Sequence, residues 1–182
     1  MKITQTKLEG VLLIEPSKFT DDRGYFFEAF KKNVLAEGGV ACDFVQDNQS
    51  TSKLGVIRGL HYQRNPHAQA KLVRVLKGKV RDVVVDLRHG SPTYKQWIGV
   101  ELSDENLLQV FIPRGFAHGF CALTDDAVLM YKCDDYYAPE TEGGIRYDDP
   151  ELNIDWGVPS DKAIVSPKDL ELPFLKNAPQ DF

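Results

Sequence analysis

The chain is 182 residues long, the size of one domain, and its 42% hydrophobic and 27% charged residues are ordinary globular usage, which excludes a disordered chain. Its 22 basic and 27 acidic residues give a net charge of −5, so nucleic acid and anionic membrane would repel the chain rather than hold it. Apolar runs such as Val11 to Ile14 and Val83 to Val85 are far too short for a spanning helix or a secretory signal.

No repeat or Gly/Ser linker divides the sequence, which predicts a single domain over 1–182. Short segments that alternate on a period of two, separated by Gly, Pro, Asn and Asp, predict strands. In chain order these are Val11–Glu15, Tyr25–Phe30, Phe44–Ser50, Val56–Tyr62, Leu72–Leu76, Val80–Leu87, Gln96–Leu102, Gln109–Ile112, Gly119–Leu123 and Val128–Cys133. One brief helix is expected over Lys31–Glu37, stopped by Gly38-Gly39. So many short strands with so little helix predict an all-β jelly-roll barrel with a few short helices, mainly near the C-terminus. After Pro139 the pattern loosens into turns, with helical segments expected near Pro150–Asn153 and Pro159–Ala163, forming a cap on the barrel. Cys42, Cys121 and Cys133 are odd in number and lack C-x-x-C spacing. The expectation is therefore a reducing cytoplasm, with neither a disulfide framework nor a thiolate zinc site.

Charge is unevenly spread. Lys53 to Arg81 holds eight basic residues and no acidic one, and Asp134 to Asp155 holds eight acidic residues with Arg146 alone against them. This pattern fits two solvated faces that attract each other, and it equally fits a local anion site of the kind that binds a diphosphate.

Some strands carry polar residues where a small barrel should be apolar. In Gln46-Asp47-Asn48-Gln49-Ser50, alternation puts Gln46, Asn48 and Ser50 on one face, and neither face is a hydrophobic one. Desolvating an unpartnered polar side chain costs roughly 1–3 kcal/mol, so the segment is either a water-facing edge or the mouth of a ligand-filled barrel. His61 ends Val56-Ile57-Arg58-Gly59-Leu60-His61-Tyr62-Gln63, with Lys71 opening the next strand. A lone histidine there is more often a hydrogen-bonded structural residue. Strict alternation puts Arg58 and His61 on opposite faces; for both to line one pocket, Gly59 must host a bulge.

A second histidine follows a turn in Ile112-Pro113-Arg114-Gly115-Phe116-Ala117-His118-Gly119-Phe120. This P-x-G-x-x-H spacing resembles the second motif of the cupins, which are jelly-roll barrels. Metal-binding cupins carry H-x-H and a carboxylate in their first motif, whereas this sequence has His61-Tyr62-Gln63 there. With the second ligand and the glutamate missing, no metal is expected. Tyr131, inside an apolar strand, would ordinarily be packing, Tyr136-Tyr137 are expected at a rim, and Lys168-Asp169 would ordinarily be solvated charges.

Four strings, in order, carry a fuller resemblance: Phe19-Thr20-Asp21-Asp22-Arg23-Gly24-Tyr25-Phe26-Phe27-Glu28, Gln46-Asp47-Asn48-Gln49-Ser50, Gly55 through Gln63, and Pro113 through Phe120. Together they resemble the dTDP-4-dehydrorhamnose 3,5-epimerase family, over nearly the whole chain from Phe19 to Asp169. The resemblance implies a cofactor-independent isomerase of dTDP-L-rhamnose biosynthesis that epimerises dTDP-4-keto-6-deoxy-D-glucose at two carbons. It implies His61 as base, Tyr131 as acid, Asp169 as the partner of His61 and Lys71 as the enolate stabiliser. Arg23, Glu28, Gln46, Asn48, Arg58, His118, Glu142 and Lys168 would contact nucleotide, diphosphate or sugar, and Tyr137 would stack on thymine. A homodimer is implied as well, with the N-terminal strand exchanged and Arg23 reaching the partner's site.

These residue types suit that chemistry. Removing a proton from either carbon beside a ketone leaves an enolate, and histidine is the base with an unperturbed pKa near neutrality. A carboxylate behind it fixes the tautomer, a cation at the oxygen stabilises the enolate, and a phenol can return the proton from the opposite face. A single-centre epimerase or ketoisomerase on a related dTDP-4-keto sugar is the alternative within the fold. A metal-dependent cupin oxygenase and a non-catalytic carbohydrate-binding jelly roll are the alternatives outside it.

Overall fold

The alternating segments fold into two sheets that face each other across an apolar layer in the computed structural model, which describes residues 1–179 and 182. The first half of the chain forms β1 (Lys2–Gln5), β2 (Leu12–Glu15), β3 (Lys18–Asp21), β4 (Gly24–Phe27), α1 (Lys32–Glu37), β5 (Gln46–Ser52), β6 (Val56–Gln63), β7 (Lys71–Lys77) and β8 (Lys79–Asp86). It continues through β9 (Trp97–Ser103), β10 (Gln109–Ile112), β11 (Phe116–Ala122), β12 (Ala127–Cys133), β13 (Glu142–Gly144), β14 (Ile164–Val165) and α2 (Pro167–Leu170). One sheet has the order β1-β2-β10-β7-β12-β5 and the other β13-β6-β11-β8-β9, with β14 parallel to β6 and β3–β4 a separate hairpin. The sheets pack as a jelly roll without closing into a continuous barrel.

Three apolar clusters explain the patterning. Between the sheets lie Val73, Val75, Val110, Ile112 and Leu129 from one side and Val84, Ile98, Leu102, Phe116 and Phe120 from the other. Behind the second sheet, Val83, Val85, Ala117 and Cys121 pack on Ile145, Leu152, Trp156 and Leu175 of the tail, which does cap the fold. The run Val83-Val84-Val85 is therefore continuous because both faces of β8 are buried. Behind the first sheet, Leu35 of α1 and Val40 cover Leu12, Ile14, Leu72 and Phe111.

Several expectations need correction. β11 begins at Phe116, so His118 lies inside the strand rather than ahead of it. Near Pro150–Asn153 there is only a turn, and the Pro159–Ala163 segment holds one 3-10 turn over Ser160–Lys162. β1, β3, β13, β14 and α2 lie outside the predicted segments. Within the single chain β1 pairs with β2, and the element without cover is the β3–β4 hairpin, which exposes Phe19, Tyr25 and Phe26. No helix among the described residues is long and apolar enough to cross a membrane.

Candidate active site

At one end of the sandwich the apolar filling stops and a cavity of about 640 Å³ opens between the sheets. Asn48, Lys71 and Tyr131 line it from the first sheet, and Arg58, His61 and His118 from the second. Tyr137, Glu142, Lys168 and Asp169 close the rim. Along β5, Gln46, Asn48 and Ser50 are part-buried while Asp47, Gln49 and Thr51 are exposed, so the polar strand borders a cavity mouth.

The tension between Arg58 and His61 resolves as a bulge. β11 steps from His118 to Phe120 while its partner β6 steps from His61 to Arg58, so β6 carries one extra residue there. Both side chains reach the cavity as a result. Gly59 has φ of +126°, and a Cβ on it would lie 2.5 Å from the Cα of Gly119. Only glycine permits both the left-handed backbone and that approach.

Behind His61 stands Asp169, delivered by the shortest of helices. Ser166 is the N-cap of α2 and accepts a hydrogen bond from the Asp169 N–H at 3.1 Å, and Pro167 occupies the first turn, where its missing N–H costs nothing. Asp169 Oδ1 lies 2.8 Å from His61 Nε2, and Oδ2 accepts the Gly59 N–H at 3.3 Å. Burial works to raise the Asp169 carboxyl, but the His61 hydrogen bond and charge, with the Gly59 and Ser166 contacts, hold it below the usual carboxylate range. A carboxylate at Nε2 keeps the proton on that nitrogen and leaves the lone pair on Nδ1.

Lys71 is buried at the start of β7, and its ammonium makes no ion pair or side-chain hydrogen bond among the described residues. It lies 5.6 Å from the centre of the Tyr131 ring. Burial pushes its pKa down, opposed by the nearby Cys133, Asp82 and Glu142. Burial also pushes the Tyr131 phenol up, so the group keeps its proton at neutral pH.

The rim is a charge network. Lys168 Nζ lies 2.8 Å from both Glu142 oxygens, and Tyr137 donates its hydroxyl to Glu142 Oε2 at 3.0 Å. Lys168 and Tyr137 together outweigh burial and lower the Glu142 carboxyl. Arg58 is held by Ser52 Oγ and the Thr51 carbonyl, each at 3.1 Å. The two charged tracts of the sequence thus divide their work. Arg58 and Lys71 serve the cavity, whereas Arg81 bonds the Asp155 carbonyl and Arg64 the Glu140 carbonyl, tying the tail to the sheet.

Three predicted site residues stand apart. Arg23 and Glu28 flank β4 outside the cavity, paired with Asp21 at 2.6 Å and Lys31 at 3.0 Å. Gln46 supports rather than lines, donating to Asn48 Oδ1 and accepting the Tyr137 N–H, each at 3.1 Å. One residue was missed. Asp82 is fully buried, with Oδ2 2.7 Å from His118 Nε2 and Oδ1 without a partner among the described residues. A lone carboxylate within Val80-Arg81-Asp82-Val83-Val84-Val85 was the signal available.

The family model described as dTDP-4-dehydrorhamnose 3,5-epimerase matches residues 5–177. A relative of that name from Methanothermobacter thermautotrophicus is 49% identical over 179 residues, which cover 98% of this chain and 96% of its own. The solved dTDP-4-dehydrorhamnose 3,5-epimerase of Elizabethkingia anophelis is 48% identical with a TM-score of 0.94, over 97% of each chain. A Legionella pneumophila dTDP-6-deoxy-D-glucose-3,5-epimerase, solved in complex with dTDP-4-keto-L-rhamnose, is 46% identical with a TM-score of 0.93 over 100% of this chain and 98% of its own. Similarity of this extent, on a jelly roll that gathers His61, Asp169, Lys71 and Tyr131 at one cavity, shows that the chain belongs to the dTDP-4-dehydrorhamnose 3,5-epimerase family.

Proposed function

We propose that this protein inverts C3 and C5 of dTDP-4-keto-6-deoxy-D-glucose to give dTDP-4-keto-L-rhamnose, in dTDP-L-rhamnose biosynthesis, with its 182 residues working as one domain. The observation that carries the residue roles is that His61 and Tyr131 line one cavity from opposite sheets, with Asp169 2.8 Å behind His61.

Both reacting carbons flank the C4 ketone. His61 takes a proton from one of them, the C–H electrons move into the ring, and the negative charge settles on the C4 oxygen. Asp169 steadies the imidazolium that forms. Lys71 supplies a cation in a desolvated setting, where it stabilises an enolate oxygen more strongly than it would in water. Tyr131 then returns a proton to the opposite face, so one C–H bond breaks, another forms and the formula is unchanged. His61 gives its proton to solvent and the phenol regains one, completing the cycle. Arg58, His118 and Lys168 bind the diphosphate, Glu142, Gln46 and Asn48 help seat the nucleotide sugar, and Tyr137 stacks on the base.

The protein works as a homodimer with exchanged N-terminal strands, in which Arg23 and Glu28, at the ends of the β3–β4 hairpin, act at the partner's cavity. The exposed Phe19, Tyr25 and Phe26 of that hairpin support this arrangement. Light scattering that returns the mass of a single 20.5 kDa chain would overturn it. The cytoplasm is the proposed location, supported by three free cysteines, and recovery of the protein outside the cell would refute it.

The activity is tested by incubating the protein with dTDP-4-keto-6-deoxy-D-glucose in deuterated water and reading the product by NMR. The expected product is dTDP-4-keto-L-rhamnose carrying deuterium at C3 and C5. Inversion at one carbon alone would replace this reading with the single-centre epimerase.

A further inference from the structure

Gln63 ends β6 two residues beyond His61, in the position where the metal-binding cupins place a second histidine. It is buried, and its amide is fully occupied. Oε1 accepts the Ala138 N–H at 2.7 Å, while Nε2 donates to the His67 carbonyl at 2.7 Å and to the Tyr136 carbonyl at 3.2 Å. These partners fix which way the amide points, because a main-chain N–H needs the oxygen and two carbonyls need the NH₂.

Two of those bonds fall on the residues either side of Tyr137. The N–H of Tyr137 itself goes to Gln46 Oε1 at 3.1 Å, and its hydroxyl goes to Glu142. The backbone around this ring is therefore held from β5 in one sheet and from β6 in the other. Tyr136 and Tyr137 are both exposed, so apolar burial contributes little to their placement. Polar bonds tether the loop: those of Gln63 and Gln46, with Gln69 donating to the Asp135 carbonyl and Thr141 to the Ala138 carbonyl further out.

We infer that Gln63 is a positioning residue that holds Tyr137 as a rigid platform for the nucleobase. The inference rests on the reading of Tyr137 as the stacking residue. A ring fixed before the ligand arrives costs less ordering on binding, so Gln63 acts on nucleotide affinity and not on proton transfer. Its place on β6, two residues from His61, gives a position that holds a ligand in the metal-binding cupins a part in substrate recognition here.

The test is Gln63→Met, which keeps the length of the side chain and removes all three bonds. Binding of dTDP, measured by calorimetry, is expected to weaken about tenfold. KM for the keto sugar should rise in parallel, while kcat and its pH profile stay within about twofold of the wild type. Tyr137→Ala should weaken dTDP binding in the wild type and cost clearly less in the Gln63→Met background, where Gln46 and Glu142 still hold the residue but the backbone on either side of it is loosened. Unchanged dTDP affinity in Gln63→Met, or additive effects of the two substitutions, would overturn the inference. If Tyr137→Ala alone leaves dTDP binding unchanged, it is the stacking reading that fails. Should Gln63→Met not fold, Gln63→Glu keeps the acceptor for Ala138 but sets a carboxylate oxygen against two carbonyls. Burial and the two carbonyls raise the pKa of that carboxyl, so dTDP affinity should fall at the alkaline pH where it ionises and recover relative to the wild type once it is protonated. An affinity that follows the wild type at every pH would count against the inference.

Discussion

Two histidine–aspartate pairs stand at this cavity, nearly equal in length and different in setting. His118 and Asp82 lie 2.7 Å apart on β11 and β8, the inner strands of the second sheet, with their side chains 7% and 0% exposed. His61 and Asp169 lie 2.8 Å apart, but they join a sheet strand to a one-turn helix in the tail, and the His61 side chain is 34% exposed. The distance alone would rank them as equals. Access separates them: an imidazole that carries protons must meet substrate on one edge and a satisfied carboxylate on the other. The Asp169 carboxylate is satisfied on both oxygens, by His61 and by the Gly59 N–H, whereas Asp82 leaves one oxygen unpartnered among the described residues. On the proposed mechanism, the half-exposed His61–Asp169 pair suits turnover, and the buried His118–Asp82 pair suits holding an imidazole still.

The sharpest way to break this distinction is Asp169→Asn. The amide cannot hold the same tautomer or balance the imidazolium, so kcat should fall by about a thousandfold or more, as when the carboxylate of a hydrolase triad is neutralised. KM should move little. A loss of less than tenfold would mean that His61 works without its partner.

Stability should rank the pairs the other way. Asp82→Ala leaves a buried His118 ring N–H without its acceptor and should destabilise the fold by about 2–3 kcal/mol. Asp169→Ala frees a ring that water can already reach and leaves the Gly59 N–H, at the long distance of 3.3 Å, without its acceptor, and should cost less, about 1–2 kcal/mol. Urea denaturation of the two variants beside the wild type measures both, and equal losses would erase the contrast between the pairs.

The same contrast marks what could be read in the sequence. Most strands were legible because burial of one face enforces alternation, and the Gly59 bulge because two candidate site residues could not share a face without it. β1 and β3 were not: Lys2–Gln5 and Lys18–Asp21 are polar and largely exposed, so no core imprints a period on them. Asp82 was hidden inside a strand whose valines are explained by packing, and nothing local names a partner 36 residues away. Asp169 sits in a helix too short to show a period, although Ser166-Pro167 marks its start. Gln63 was seen only as a missing metal ligand, because the loop it holds is distant in sequence.

The smallest expected effect concerns acid. The folded chain holds the Asp169 carboxyl below the usual range, chiefly because the His61 hydrogen bond and charge outweigh burial. The unfolded chain therefore takes up that proton first as pH falls toward about 3.9, the ordinary aspartate value. The stabilisation from Asp169 is present above that value and is lost as pH drops through the folded pKa. Asp169→Asn, which cannot titrate, should show a shallower decline in stability between about pH 5 and pH 3 than the wild type. Thermal unfolding at intervals across that window measures the two slopes. Superimposable slopes would show that Asp169 titrates alike in both states, leaving His61 with no electrostatic hold on it.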